Sequence, residues 1–166
     1  MYKIKLLISL LISLIVLSCT SINVPKSNGK FSIGYIGGEY DGLLLHNNLT
    51  AHLTSYDMID NNSRYQIRSS IGHSTGVYVI NIDNTSNREA ITSELVVTIY
   101  DKKLKCNAYE YKNRAYQFYI FASNEKFISN KTALRKIKDD NIEELVKKFI
   151  NALMYENVEC DVKGEN

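Results

Sequence analysis

The feature that most limits the fold lies in the last third of the chain. Leu134, Ile137, Ile142, Leu145, Val146, Phe149, Ile150, Leu153 and Met154 recur at spacings of three and four, the period of a helix with one apolar stripe. Glu143 and Glu144 stand four residues before Lys147 and Lys148, so opposite charges meet on the wet side of the same helix. Such a stripe must be buried, and its own helix cannot cover it. The remaining chain therefore has to supply an apolar surface of matching length. Asp139-Asp140 reads as the cap of a second segment, which predicts a kink near Lys138.

Most of the remaining chain is written in period two. Phe31, Ile33 and Tyr35 alternate with Ser32 and Gly34, and further strand signals follow at 65–70, 77–82 and 94–100. In the last of these, Leu95, Val97 and Ile99 oppose Val96, Thr98 and Tyr100. The polar run Asp83-Asn84-Thr85-Ser86-Asn87 has turn chemistry and predicts a hairpin. Residues 108–121 carry Tyr109, Tyr111, Tyr116, Phe118, Tyr119 and Phe121. They read as a strand with a bulge around Lys112 to Arg114, its aromatics divided between core and cross-strand pairs. Gly37-Gly38 closes the first strand, and Asp41 is the expected N-cap of a helix of about 14 residues with Leu45, Leu49 and Leu53 on its buried face. The turn-rich run 57–63 ends that helix. The order strand, helix, several strands, long helix implies an α+β two-layer sandwich, with two helices packed on one face of a four- or five-stranded mixed sheet. The single domain spans 31–155, and the polar tail 156–166 is expected to fray.

The first residues obey a different logic. Lys3 and Lys5 precede an apolar run from Leu6 to Leu17, broken only by Ser9 and Ser13. A basic start and a short apolar core describe an export signal; the run is well short of the roughly 20 residues that span a bilayer as a helix. It ends Val16-Leu17-Ser18-Cys19, which resembles the lipobox of bacterial lipoproteins. Val16 replaces the commoner Leu and Leu17 stands where a small residue is usual. The resemblance implies cleavage after residue 18, lipidation of Cys19 by diacylglyceryl and palmitate-type chains, and a membrane anchor through two signals. Thr20, rather than Asp, resembles an outer-membrane address. Residues 19–30, with the chain's only proline at Pro25, read as a polar tether. Lys3 and Lys5 are also the only charges ahead of Cys19, so the remainder carries equal numbers of basic and acidic side chains. A neutral chain of this kind offers no electrostatic footprint for nucleic acid.

Catalytic signatures are sparse. The histidines are His46, His52 and His73; HExxH and Cys-x-x-Cys are absent, His46 and His52 are six apart on different helix faces, and neither a metal site nor a cofactor is implied. There is no Gly-x-Ser-x-Gly elbow, and Gly34, Gly37, Gly38 and Gly42 match no phosphate-binding pattern. Cys106 and Cys160 remain after lipidation: in an exported chain they can form a disulfide, and Cys106 can equally be a small core residue. The chain is expected not to be an enzyme. Arg88 before an apolar strand, and Lys112 and Arg114 among aromatics, are either solvated charges or candidate anion contacts.

With these features in place, the chain resembles the lipopolysaccharide-assembly lipoprotein family, LptE. The resemblance is carried by Tyr40-Asp41-Gly42-Leu43-Leu44-Leu45-His46-Asn47-Asn48-Leu49, by Arg64-Tyr65-Gln66-Ile67, by Asn87-Arg88-Glu89-Ala90 leading into 95–101, and by Phe121-Ala122-Ser123-Asn124-Glu125 with Ile150-Asn151-Ala152-Leu153. His46-Asn47 stands where the family often has Arg-Asn. The resemblance implies an outer-membrane lipoprotein that plugs the LptD barrel, assists its assembly and contacts lipopolysaccharide, with Arg88, Lys112 and Arg114 as the cations for lipid phosphates. The alternatives are an auxiliary lipoprotein of a phospholipid-trafficking ABC transporter and a periplasmic hydrolase using Cys106.

Overall fold

A computed structural model of the chain describes residues 29–79, 87–120 and 127–160. The signal segment, Cys19, most of the tether, nearly all of the Asp83–Asn87 turn, and the tail beyond Cys160 lie outside the described residues. The elements are β1 (Phe31–Gly37), α1 (Glu39–Ser55), β2 (Tyr65–Val79), β3 (Asn87–Asp101), β4 (Cys106–Ile120) and α2 (Phe127–Tyr155). The sheet order is β1-β2-β3-β4. β1 runs parallel to β2, and the other neighbours are antiparallel, so the sheet is mixed.

Both helices lie on one face of this sheet, as the apolar stripes require. Leu45, Leu49 and Leu53 of α1 and Ile142, Leu145, Phe149 and Leu153 of α2 meet Ile67, Ile71, Leu95, Val97 and Ile99 in one core. The odd-numbered positions of β2 and β3 face inward because side chains alternate across a strand, and each fully enclosed Leu, Ile or Phe contributes roughly 1.5–3 kcal/mol. Phe149 packs on Tyr111 of β4 with ring centroids 5.4 Å apart.

Several expected boundaries move. The strand expected at 65–70 and the part of the one expected at 77–82 that is described, as far as Val79, are one strand of 15 residues, while 80–82 lie outside the described residues: pairing with β3 continues through Gly72 opposite Glu94 and Gly76 opposite Ala90, so neither glycine breaks it. The irregularity expected at Lys112 to Arg114 is instead at Ala108, which is inserted between Asn107 opposite Tyr100 and Tyr109 opposite Ile99. Tyr35, expected beside Phe31 and Ile33, is 76% exposed, because the β1 register shifts between Ile33 and Ile36 and Ile36 joins the core instead.

Asp41 is not the cap of α1. The helix begins two residues earlier, at Glu39, after Gly38 at φ 121, and no side chain caps it. Glycine fits that left-handed turn, and a Cβ there would also press on the Ile71 carbonyl at 3.0 Å. Asp139-Asp140 does not open a second segment either: α2 is a single helix of 29 residues, Asp140 pairs with Lys136 one turn earlier, and Asn141 and Ile142 next to it are fully buried. The described part of the tail, 156–160, is held down at Cys160. Val158 packs against the core, and Cys160 is joined to Cys106 with Cα atoms 6.2 Å apart.

Candidate functional site

With both helices on one side, the other face of the sheet carries no second layer among the described residues. The even-numbered positions of β4 point there: Glu110, Lys112, Arg114, Tyr116, Phe118 and Ile120 are all exposed. Tyr116 and Phe118 meet edge to face at 4.5 Å. Arg68 lies over the Tyr100 ring at 4.0 Å. A shallow groove of about 510 Å³ runs between Gly72, His73, Ser74, Thr92, Glu94 and Arg114, and a smaller one of about 180 Å³ lies between Tyr35, Arg68 and Val96. Gly72 has nothing within 4 Å of where a Cβ would stand, which keeps the larger groove open.

The sheet brings two of the three candidate cations together. Arg114 stands opposite Glu94 in the register, and Lys112 Nζ reaches the same carboxylate at 2.9 Å, so Glu94 is shared by both. The Lys112 and Arg114 hydrogen bonds hold the Glu94 carboxyl below its ordinary range. Arg88 is elsewhere. Its backbone pairs with Tyr78 and Ile120, six positions from Glu94 and thus roughly 20 Å along the strand at about 3.3 Å per residue. The Arg88 side chain lies outside the described residues.

A second polar group, which periodicity does not reveal, lies inside the layer interface. His73 Nδ1 is 2.8 Å from Ser93 Oγ, and Asn141 Nδ2 donates to the same oxygen at 2.8 Å. Asp41 Oδ2 lies 3.4 Å from His73 Nε2 and 3.3 Å from Lys138 Nζ. The contact with His73 is longer than a normal N–H···O bond, and Nε2 has no hydrogen-bond partner. Burial lowers the His73 pKa, against the pull of the Asp41 carboxylate. Asp41, His73 and Ser93 are the residue types of a nucleophilic triad, yet Ser93 is 0% exposed and already holds Asn141. Its hydroxyl is therefore not open to a substrate. His46 is exposed and His52 half-buried on α1. Only the register could have joined residues this distant: His73 stands opposite Ser93.

Cys106 and Cys160 lie beside Asp101, and their potential ligand atoms fall within 4.8 Å of one another. The disulfide removes both thiolates, and Asp101 is committed to Arg64 and to the amides of Lys103 and Leu104. These groups build a strut rather than a metal centre. Among the described residues, no helix is long and apolar enough to cross a membrane.

This architecture, two helices on one face of a mixed four-stranded sheet, is found in a group of small bacterial lipoproteins. Lipoprotein B from Nitrosomonas europaea superposes with a TM-score of 0.60 at 9% identity, covering 82% of this chain and 89% of its own. A minor lipoprotein from Acinetobacter baumannii gives 0.58 at 12% identity over 78% and 93%, and rare lipoprotein B from Shewanella oneidensis gives 0.52 at 10% over 75% and 93%. No family model matches the sequence, and no curated protein matches it. The chain shares the fold of these lipoproteins.

Proposed function

We propose that the chain is an outer-membrane lipoprotein, anchored through Cys19, that plugs an LptD-type β-barrel, assists its assembly and contacts lipopolysaccharide on its way to the cell surface. The observation that carries this reading is the sheet face that has no second layer among the described residues, where Lys112 and Arg114 share Glu94 beside Tyr116, Phe118 and Ile120. A contiguous exposed apolar surface rimmed by charge is characteristic of a binding face, and here aromatics offer packing area while the two cations offer charge-assisted bonds to phosphate. The lipobox-like end of the signal segment and the fold shared with bacterial lipoproteins support the anchor. The role is binding rather than catalysis.

The test is purification of the tagged chain from detergent-solubilised outer membrane, followed by mass spectrometry of what accompanies it. A stoichiometric outer-membrane β-barrel is expected. Recovery with an inner-membrane ABC transporter, and no barrel, would replace this reading with the phospholipid-trafficking alternative. Cys19→Ala should abolish palmitate labelling, since no other cysteine lies near the signal segment.

A further inference from the structure

The buried group at the layer interface has a hydrogen-bond order that can be worked out from its donors. Asn141 Nδ2 can only donate, so Ser93 Oγ accepts from it. The single Ser93 hydroxyl proton then points to His73 Nδ1, 2.8 Å away. The neutral imidazole must therefore carry its proton on Nε2, the atom aimed at Asp41 across 3.4 Å. One acceptor is left over, because Asn141 Oδ1 is buried without a partner. Asp41 Oδ2 meanwhile sits between His73 on β2 and Lys138 on α2. Four elements thus meet at this point: Asp41 comes from α1, Lys138, Asp139 and Asn141 from α2, Ser93 from β3, and His73 from β2.

We propose that His73, Ser93 and Asn141 form a two-position hydrogen-bond relay that transfers the Asp41 carboxylate of α1 from Lys138 on α2 to His73 on β2 when His73 takes up a proton. The balance is one proton from solvent. Protonated His73 must donate from Nδ1, so Ser93 Oγ turns from donor to acceptor on that side. Its hydroxyl proton then needs a new acceptor, and a flip of the Asn141 amide presents the unused Oδ1. On the opposite side of the ring, Nε2–H now bears part of a positive charge and competes with Lys138 for one carboxylate oxygen. Asp139, half-buried with an enclosed and unpartnered Oδ1, adds negative charge on the α2 side. Burial of the ring, with Lys138 nearby, lowers the His73 pKa from its ordinary value against the pull of Asp41 and Asp139, so the neutral order is the resting one near pH 7. The device uses neither Lys112 nor Arg114, and His73 itself also lines the larger groove of the open sheet face.

Long-range ¹⁵N NMR of the imidazoles in the full chain, with His46 and His52 assigned by substitution, reads the relay directly. Near pH 8 His73 should be the Nε2–H tautomer. On acidification its protonation should coincide with a shift of the Asn141 side-chain amide and with loss of the Lys138–Asp41 contact. A neutral ring protonated on Nδ1, or a His73 titration that leaves Asn141 and Lys138 unchanged, overturns the proposal. Asn141→Asp supplies a permanent acceptor behind Ser93. It should raise the His73 midpoint by about one pH unit, a tenfold gain in proton affinity, and move the neutral ring's proton to Nδ1; an unmoved tautomer overturns the proposal. Should that variant fail to fold, Ser93→Ala breaks the chain in the middle. The neutral ring should then populate both tautomers and Asn141 should no longer follow the titration, while retained coupling between them counts against the relay.

Discussion

Arg64, immediately ahead of β2, donates from Nε to Asp101 Oδ1 at 2.8 Å, and the same oxygen accepts the amides of Lys103 and Leu104 at 2.8 and 3.0 Å. One carboxylate thereby fixes the β3–β4 turn and ties it to the start of β2. The Arg64 hydrogen bond, helped by the two amides, holds the Asp101 carboxyl at about 2 against an ordinary 3.8. A carboxyl whose folded pKa is depressed contributes stability that is fully present above its unfolded pKa and lost as pH falls through the folded value. The acid limb of the stability curve should therefore fall between about pH 4 and pH 2. Asp101→Asn should melt lower than the native chain at pH 7 and lose much of that slope. Thermal melts from pH 2 to 7 check both, and a variant with an unchanged acid limb would assign the slope to other carboxylates.

The disulfide makes a separate claim. Cys106 and Cys160 are 54 positions apart, and in the chain-entropy account a loop of that size contributes roughly 4 kcal/mol by restricting the unfolded state. Reduction, or Cys106→Ser with Cys160→Ser, should lower stability by about 2–4 kcal/mol. It should also free residues 156–160 to exchange amide protons rapidly, while α2 before Tyr155 stays protected. Denaturant titration with and without reductant reports the first effect, and hydrogen exchange the second.

In the core, Phe149 is 0% exposed and lies against Tyr111. Phe149→Ala should cost about 3–5 kcal/mol through lost transfer energy and the cavity left behind. Leu49→Asp on α1, also at a fully enclosed position, should place an unpaired charge in the core and prevent stable folding. Circular dichroism and denaturant midpoints check the pair. A folded, soluble Leu49→Asp protein would mean that α1 does not pack on the sheet by this stripe.

These outcomes separate what periodicity could and could not announce. Leu45, Leu49, Leu53 and the α2 stripe were legible because a one-sided helix leaves a spacing of three and four in the sequence, and Leu95, Val97 and Ile99 because one face of a strand leaves a spacing of two. Boundaries were not, because propensity at Gly72, Gly76, Asp41 and Asp139 was overridden by tertiary packing: β3 holds both glycines in the ladder, Asp41 meets Lys138 and His73 inside the fold, and the burial of Asn141 and Ile142 carries α2 straight past Asp139. Tyr35 was misplaced because a register shift reverses which residues face inward and has no local signature. The group around His73 was invisible for a related reason. Its members lie on four elements, and no spacing along the chain links residues that meet only through sheet register and helix packing. Lys112 and Arg114 were picked for their charge, but the carboxylate they share at Glu94 could be found only across the strand pair.

That shared carboxylate changes what the binding reading predicts. In the free chain Lys112 and Arg114 are not vacant cations, since Glu94 occupies both. An incoming phosphate must compete with it, so affinity is set by a balance between an internal and an external anion. Glu94→Gln should release the pair and tighten binding of labelled lipopolysaccharide by about threefold to tenfold, with a steeper salt dependence because two exposed cations are then unscreened by a partner. Arg114→Asp should weaken binding by about tenfold, as loss of one charge-assisted bond is worth at least about 1.4 kcal/mol. Stability should hardly change in either variant, because exposed ion pairs contribute little. Arg88→Asp, roughly 20 Å along β3, tests whether the contact extends to that end of the sheet, and Lys163→Asp, outside the described residues, controls for net charge. Titrations of the purified chain at two salt concentrations distinguish the cases: weaker binding by the Glu94→Gln protein would exclude the Lys112–Arg114 pair as the phosphate contact, even with the barrel complex intact.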